Sequence, residues 1–128
     1  MKMEAEKSRI LVVDDMSGFL KVTKIFLERH GFDVRIAGHA KDALDILRDW
    51  QPDVLVTDLM MPEVSGFDLL SQLQEQQLSP GTRVIVVTGR TDPRDEIRAR
   101  SLGATAVLFK PYSKEELLKL CQTAVPNA

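Results

Sequence analysis

The sequence predicts a single α/β domain built on a parallel sheet, and three observations support this prediction. Short runs rich in valine and isoleucine alternate with longer stretches of helical periodicity, and the pair recurs five times. Parallel strands need long crossover connections, which the intervening helices supply. A length of 128 residues suits one domain. We therefore expect a flavodoxin-like (βα)5 doubly wound three-layer sandwich with the strand order 2-1-3-4-5.

The first half of the chain contains three predicted strands and two predicted helices. The apolar run at residues 9–13 is the first strand, and Phe19, Val22, Ile25 and Phe26 give residues 17–30 a helical spacing. Gly31 follows at the position of a left-handed C-cap. Residues 32–37 form the next predicted strand, 40–49 a helix, and 54–57 the third strand.

The second half continues the same rhythm. Residues 65–76 are predicted as a helix, 79–81 as a turn and 83–88 as a strand rich in β-branched residues. Pro93 suits the first turn of a helix that runs to about Ser101, and a short fifth strand follows at residues 107–109. Ser113 and Glu116 have the spacing of a capping box that opens the last helix.

Composition limits the domain boundaries and the functional classes. Residues 1–8 are predicted as a flexible N-terminal tail, 9–124 as the domain and 125–128 as a C-terminal tail. A formal net charge of −2 gives no sign of a basic surface, so we expect no direct binding of nucleic acid by this chain. The single cysteine and the absence of a long apolar run predict a cytoplasmic location without membrane contact.

Polar side chains follow four of the five predicted strands. Asp14 and Asp15 follow the first strand, Asp58 ends the third, Thr88 ends the fourth and Lys110 follows the fifth. Each residue alone is ordinary, because aspartate is common in turns and helix caps. In the predicted strand order, however, the first and third strands are neighbours, so the three acids meet at one corner of the sheet.

Three adjacent carboxylates repel one another unless a cation neutralises them, and Mg²⁺ is the usual ion for such oxygen ligands. A carboxylate, a hydroxyl and an ammonium around Mg²⁺ suit phosphoryl transfer, which mainly requires positioning and charge neutralisation. Asp58 can then act as the nucleophile that forms an acyl phosphate, with Lys110 and Thr88 holding phosphoryl oxygens.

These residues resemble the receiver domains of two-component response regulators. The resemblance runs through the segments ILVVDD, VLVTDLMMPEVSGFDLL, VIVVTG and GATAVLFKPY. It implies that Asp58 is the phospho-acceptor, Thr88 the switch hydroxyl and Lys110 the phosphate-binding cation. It implies a metal site made by Asp58, Asp15, Asp14 acting largely through water, and the backbone carbonyl of Met60.

Four further implications follow from the resemblance. The Lys110-Pro111 bond is expected to be cis. Met60 and Arg90 match positions that tune the lifetime of the phosphoryl group, and the fourth helix, fifth strand and fifth helix form the output surface. Val107 stands where the family usually carries an aromatic residue that turns inward when the threonine moves.

The resemblance implies a phosphorelay switch that catalyses only its own phosphorylation and dephosphorylation. Its expected partners are a sensor histidine kinase or phosphotransfer domain, and an output partner or fused effector domain, with a phosphorylation-dependent homodimer as a further expectation. A pseudo-receiver binding module and a Mg²⁺-dependent phosphatase-like enzyme remain as alternatives. The chain is either a stand-alone regulator or one domain of a longer protein.

Overall fold

The computed structural model describes residues 7–61 and 63–125 of the chain. In this part, strands and helices alternate as β1 (Arg9–Val13), α1 (Ser17–Arg29), β2 (Asp33–Ala37), α2 (Ala40–Asp49), β3 (Val54–Asp58), α3 (Gly66–Glu75), β4 (Arg83–Thr88), α4 (Pro93–Ser101), β5 (Ala104–Phe109) and α5 (Lys114–Ala124). All strands are parallel and form one sheet in the order β2-β1-β3-β4-β5. The predicted fold class and strand order are confirmed.

The core consists of two apolar layers, one on each face of the sheet. Leu11 and Val13 of β1 belong to one layer, and Ile10 and Val12 belong to the other, because successive side chains of a strand point to opposite faces. Helices α2, α3 and α4 cover the first layer, and α1 and α5 cover the second. Burial on both faces explains why the central strands are continuous apolar runs.

The last strand begins earlier than the sequence predicts. β5 starts at Ala104 rather than at Val107. The added residues are small or polar and lack the branched apolar side chains that mark a strand. Their pairing with β4 decides their conformation, since Ala104 aligns with Val84 and the Thr105 hydroxyl donates to the Val84 carbonyl at 3.0 Å.

The first helix is present, but its buried face differs from the residues that predicted it. Val22 and Ile25 are about half exposed, at 47% and 51%. The buried residues of α1 are Leu20, Thr23 and Leu27. Two apolar stripes run along this helix, and helical spacing alone does not tell which one faces the sheet.

Caps account for the small differences in helix boundaries. Ser65 is the N-cap of α3, and His30 and Gln76 are C-caps, so the helices exclude them. Gly31 has a φ of 92° and follows α1 as predicted. The capping box between Ser113 and Glu116 is present at α5.

The predicted tails lie mostly outside the described residues, which exclude positions 1–6 and 126–128. Ser8 and Val125 are within the described part. The Ser8 carbonyl accepts a hydrogen bond from the Asp33 amide at 2.9 Å, and the Val125 side chain is buried in the layer under α1 and α5. The domain boundaries at residues 9–124 stay a prediction. Among the described helices, none has the length and apolar character that crossing a membrane requires.

Candidate functional site

The carboxyl edge of the sheet brings the predicted acidic residues together. One carboxylate oxygen from each of Asp14, Asp15 and Asp58 lies within 4.8 Å of the other two. Asp14 and Asp58 are buried, whereas Asp15 is exposed. The parallel register of β1 with β3 produces this corner, because Asp14 follows the end of β1 and Asp58 ends β3.

Asp58 is held by two donors, one on each carboxylate oxygen. Lys110 Nζ donates to Oδ2 at 2.7 Å, and the Met60 main-chain N–H donates to Oδ1 at 2.8 Å. Asp58 is only 4% exposed, so these two donors, rather than bulk water, provide the hydrogen bonds to its carboxylate. The bond to Met60 also fixes the loop that follows β3. Asp58 is therefore a buried, oriented carboxylate beside a cation.

The surroundings of Asp14 disfavour the charged form of its carboxyl group. Burial raises the pKa of the Asp14 carboxyl above its ordinary value, and the neighbouring charges of Asp58 and Asp15 raise it further. The Met16 main-chain N–H, which donates to Asp14 Oδ1 at 2.9 Å, and the Lys110 ammonium at 3.8 Å act in the opposite direction without cancelling the effect. An additional cation at this corner would remove the conflict.

Lys110 is fixed by both its main chain and its side chain. Its main-chain N–H donates to the Thr88 carbonyl at 2.8 Å, and its peptide bond to Pro111 is cis, as the family resemblance implies. Burial disfavours the ammonium, but the hydrogen bond and charge of Asp58, together with the charge of Asp14, outweigh burial and raise the pKa of Lys110. The side chain therefore stays protonated at neutral pH.

Thr88 lies at the end of β4, beside the acidic corner. The sheet register pairs Asp58 with Val87, the residue before Thr88, and Thr88 itself is 1% exposed. Its hydroxyl oxygen accepts a hydrogen bond from the Arg90 main-chain N–H at 3.0 Å. This hydrogen bond connects the Thr88 side chain to the loop between β4 and α4.

Met60 and Val107 have different surroundings. The Met60 side chain is 49% exposed at the rim of the site, with Sδ 3.6 Å from Nη1 of Arg90. Val107 lies in β5, opposite Val86, and packs against the apolar layer under α2, α3 and α4. The metal-binding role of the Met60 carbonyl stays a prediction.

Gly66 is a residue of the site region that the sequence analysis missed. A Cβ atom at this position would clash with the main-chain oxygen of Asp58 and would lie 2.8 Å from Cα of Leu59. The Gly66 N–H donates to the Leu59 carbonyl at 3.0 Å, which brings the start of α3 against the end of β3. A glycine at the first position of a helix, where a better helix former could stand, is the signal that could have indicated this approach.

Tyr112 is a second residue that the sequence analysis missed. Its ring packs edge-on against Phe19, with centroids 6.2 Å apart. Its hydroxyl oxygen is buried and has no hydrogen-bond partner in the part of the chain that the structure describes. Burial, and then the charges of Asp14 and Asp58, raise the pKa of this hydroxyl strongly. The group therefore remains a neutral donor next to the acidic corner.

The donor set fits a hard divalent cation with a phosphoryl group beside it. Mg²⁺ prefers oxygen ligands and commonly combines one or two carboxylates with waters and a phosphate. Asp14, Asp15 and Asp58 supply the carboxylates, and Lys110 supplies a positive charge that contacts both Asp58 and Asp14. A buried carboxylate with an ammonium and further carboxylates beside it is the kind of arrangement that phosphoryl transfer requires.

Comparisons with known proteins identify the family of the chain. A family model described as the response regulator receiver domain matches residues 10–122. The chain is 32% identical over 116 residues to the DNA-binding response regulator MtrA of Mycobacterium tuberculosis. This match covers 91% of this chain and 50% of MtrA. It is 28% identical over 127 residues to protein PilG of Pseudomonas aeruginosa, covering 99% of this chain and 94% of PilG.

The fold has solved counterparts. The crystal structure of a CheY-like response regulator receiver domain protein from Methanospirillum hungatei superposes with a TM-score of 0.85 and 30% sequence identity. That match covers 92% of this chain and 93% of the other. The chain spans about half the length of the curated MtrA relatives it matches.

Proposed function

Since the chain belongs to the family of response regulator receiver domains of two-component systems, we propose that Asp58 accepts a phosphoryl group from a phosphohistidine and that this switches partner binding. The family is a signalling module and not a classical enzyme. The observation that carries the proposal is the buried carboxylate of Asp58, held 2.7 Å from Lys110 within the cluster of Asp14 and Asp15.

The proposed reaction is an in-line displacement at phosphorus. A carboxylate oxygen of Asp58 forms a new P–O bond while the P–N bond of the donor breaks, and the electron pair leaves with the imidazole, which takes up a proton. Lys110 turns its N–H groups from Asp58 to a phosphoryl oxygen, and the Thr88 hydroxyl binds another. Hydrolysis of the acyl phosphate by water then returns Asp58 to the carboxylate.

We propose Mg²⁺ as the cofactor, held by Asp14, Asp15, Asp58 and the main-chain carbonyl of Met60. When bound, the ion neutralises charge on the acids and on a phosphoryl oxygen. The raised pKa of Asp14 supports this assignment, because a cation offsets the charge that burial disfavours.

We propose a sensor histidine kinase or a phosphotransfer domain as the phosphodonor. The output would pass to a separate partner or to a fused effector domain, with phosphorylation-dependent pairing of two copies as a further mode. We also propose a cytoplasmic location, which the buried free thiol of Cys121 supports.

A direct test is intact-protein mass spectrometry after incubation with acetyl phosphate, with and without Mg²⁺. We expect one added phosphoryl group in the presence of Mg²⁺, and none in its absence or in the Asp58→Asn variant. Asp33→Asn is the matched control, because it removes an exposed carboxylate at the opposite edge of the sheet. It should be phosphorylated as fully as the wild type.

The same experiment separates the alternatives. Phosphorylation that persists in Asp58→Asn would contradict the assignment of the acceptor. If the wild type takes up no phosphoryl group, beryllofluoride, a stable mimic of the phosphoryl group, decides the matter by 19F NMR. Binding of beryllofluoride would indicate rapid hydrolysis, whereas absence of binding would support a pseudo-receiver.

A further inference from the structure

The side chain of Arg90 joins the rim of the site to the first turn of α4. Its Nη1 lies 3.6 Å from Sδ of Met60, the residue whose main-chain N–H binds Asp58. Its Nε lies 2.9 Å from Oδ2 of Asp95. The main-chain N–H of Arg90 also donates to the Thr88 hydroxyl. One residue therefore contacts the acceptor loop, the switch hydroxyl and α4.

Asp95 depends on this cation. Its side chain is 14% exposed, and Oδ2 is buried without a well-aligned hydrogen bond from any described residue. The pair with Arg90 is therefore held by charge attraction rather than by directed hydrogen bonds. A largely buried carboxylate that loses its cation is disfavoured. Movement of the first turn of α4 toward water would relieve that cost.

Helix α4 is weakly anchored and can make such a movement. All of its residues are described, and Ala99 is the only one that is buried. Ile97 is 68% exposed. Elements with little buried apolar surface have low local stability and respond to small changes in free energy.

A phosphoryl group on Asp58 would compete with Asp95 for Arg90. It brings a charge of about −1.5 to −2 and three strong acceptor oxygens, and guanidinium groups bind phosphate in a bidentate geometry. We propose that the Arg90–Asp95 pair is a latch: on phosphorylation the guanidinium leaves Asp95 for the phosphoryl group, and the released first turn of α4 shifts. This inference rests on the proposed phosphorylation of Asp58.

The latch gives this chain a route from the site to α4 that β5 does not supply. Val107 occupies the position at which the sequence resemblance implies an aromatic switch residue, and its side chain packs in the apolar layer. A valine has no ring that can turn between an outward and an inward placement. Arg90 contacts the acceptor loop at Met60 and contacts α4 at Asp95.

Hydrogen–deuterium exchange of the full chain tests the latch, with and without Mg²⁺ and beryllofluoride. In the wild type, beryllofluoride should increase exchange in the first turn of α4 by about fivefold, the upper range of the change expected for loss of one partly exposed ion pair. In Arg90→Gln, this turn should already exchange at the higher rate, and beryllofluoride should add little. Arg90→Lys keeps the positive charge and should restore most of the protection and most of the response.

Arg94→Gln is the matched control. Arg94 also pairs with an aspartate at the start of α4, Asp92 at 2.8 Å, but its side chain is 88% exposed. This variant should exchange and respond as the wild type does. A full response of α4 to beryllofluoride in Arg90→Gln would overturn the latch.

The two experiments distinguish a failure of the latch from a failure of the proposed function. Phosphorylation of Asp58 in the mass measurement, combined with an unaltered α4 response in Arg90→Gln, would refute the latch alone. If the wild type binds neither a phosphoryl group nor beryllofluoride, the proposed function fails and the switching role of the latch fails with it. Loss of α4 protection in ligand-free Arg90→Gln, restored in Arg90→Lys, would then support only a structural ion pair.

Discussion

Gly66 occupies a position that a side chain cannot share with the end of β3. A Cβ atom there would meet main-chain atoms of Asp58 and Leu59, which cannot rotate away as a flexible side chain can. We expect Gly66→Ala to lower the free energy of unfolding by about 1–3 kcal/mol, the usual cost of overpacking. Urea denaturation followed by circular dichroism measures this change.

Gly18 is the matched control for Gly66. It lies in the first turn of α1, and a Cβ atom added there would have no heavy atom within 4 Å beyond its own helix backbone and chain neighbours. Gly18→Ala should raise the free energy of unfolding by about 0.5–1 kcal/mol, because alanine has the higher helix propensity. Equal effects of the two substitutions would contradict the close approach at Gly66.

Cys121 is predicted to be chemically inert in the folded protein. It is fully buried in α5, and burial raises the pKa of its thiol to about 12 from an ordinary value of 9.0. At pH 8 the thiolate fraction should be about 1,000-fold below that of an unperturbed thiol, since each pKa unit is a factor of ten. The rate of reaction with a disulfide reagent, before and after unfolding in urea, measures this protection.

The pH dependence of this group has a definite sign. Because the pKa of Cys121 is higher in the folded state than in the unfolded one, the free energy of unfolding should be unaffected well below pH 9 and should fall as pH rises above it.

The control for the reactivity measurement carries Cys121→Ala with Gln122→Cys, which moves the thiol to an exposed position on the same helix. Slow reaction of that control would show that exposure does not govern the rate.

Single residues of the site differ in how far the sequence could reveal them. Asp14, Asp58 and Lys110 were predictable, because each directly follows or ends an apolar strand and parallel strands share an edge. Gly66 and the Arg90–Asp95 pair were not, because their roles depend on distances between segments that strand periodicity does not fix.

At the scale of the elements, α2 lacks a cap that it could readily have. Its N-cap is His39, which has extended backbone angles and makes no side-chain cap hydrogen bond. We expect His39→Ser to raise the free energy of unfolding by about 1 kcal/mol relative to His39→Ala, since a serine hydroxyl can accept from the N–H groups of the first turn. Asp42, at the third helical position, can complete a capping box.

His39→Ala is the control, because it removes the imidazole without adding a cap. His39 is exposed and belongs to neither apolar layer, so neither substitution disturbs the core. The two variants are compared by the midpoint of urea denaturation at equal slopes. Identical midpoints would mean that the first turn of α2 is already satisfied by solvent.

Elements with strong local signals were predicted well, and elements defined by their neighbours were not. The bounds of β1, α2, β4 and α4 agree with apolar runs, Pro93 and caps that lie within a few residues. The start of β5 was missed, because Ala104 and Thr105 become a strand only by pairing with β4. The buried face of α1 could not be read for a similar reason, since the sheet selects one of two apolar stripes.

At the scale of the whole molecule, the strand order was predictable because few topologies satisfy right-handed crossovers with five short βα units. That order alone places the acidic residues in one corner. The strand order does not predict the balance of charge in this corner. That balance depends on burial and on the 2.7 Å contact between Lys110 and Asp58.

This balance leads to the last prediction, in which metal binding and folding are linked. A ligand that binds only the folded state at 100 times its Kd adds about 2.7 kcal/mol to the free energy of unfolding. Mg²⁺ should therefore raise the Tm of the wild type, and Asp14→Asn should reduce that gain. Without metal, Asp14→Asn should be more stable than the wild type, because the substitution removes a charge that burial disfavours.

The difference in stability between the wild type and Asp14→Asn should also depend on pH. The pKa of Asp14 is raised in the folded state above its ordinary value of 3.8, so protonation favours folding, and this contribution is lost as pH rises through the folded-state pKa. The metal-free advantage of Asp14→Asn should therefore be largest at neutral pH and shrink as the pH falls. Asp33→Asn, which removes one exposed carboxylate far from the site, should alter neither the metal-free stability nor the gain from Mg²⁺. Thermal denaturation in EDTA and in Mg²⁺ gives all of these values, and a metal-free Asp14→Asn variant less stable than the wild type would show that Lys110 already compensates the charge of Asp14.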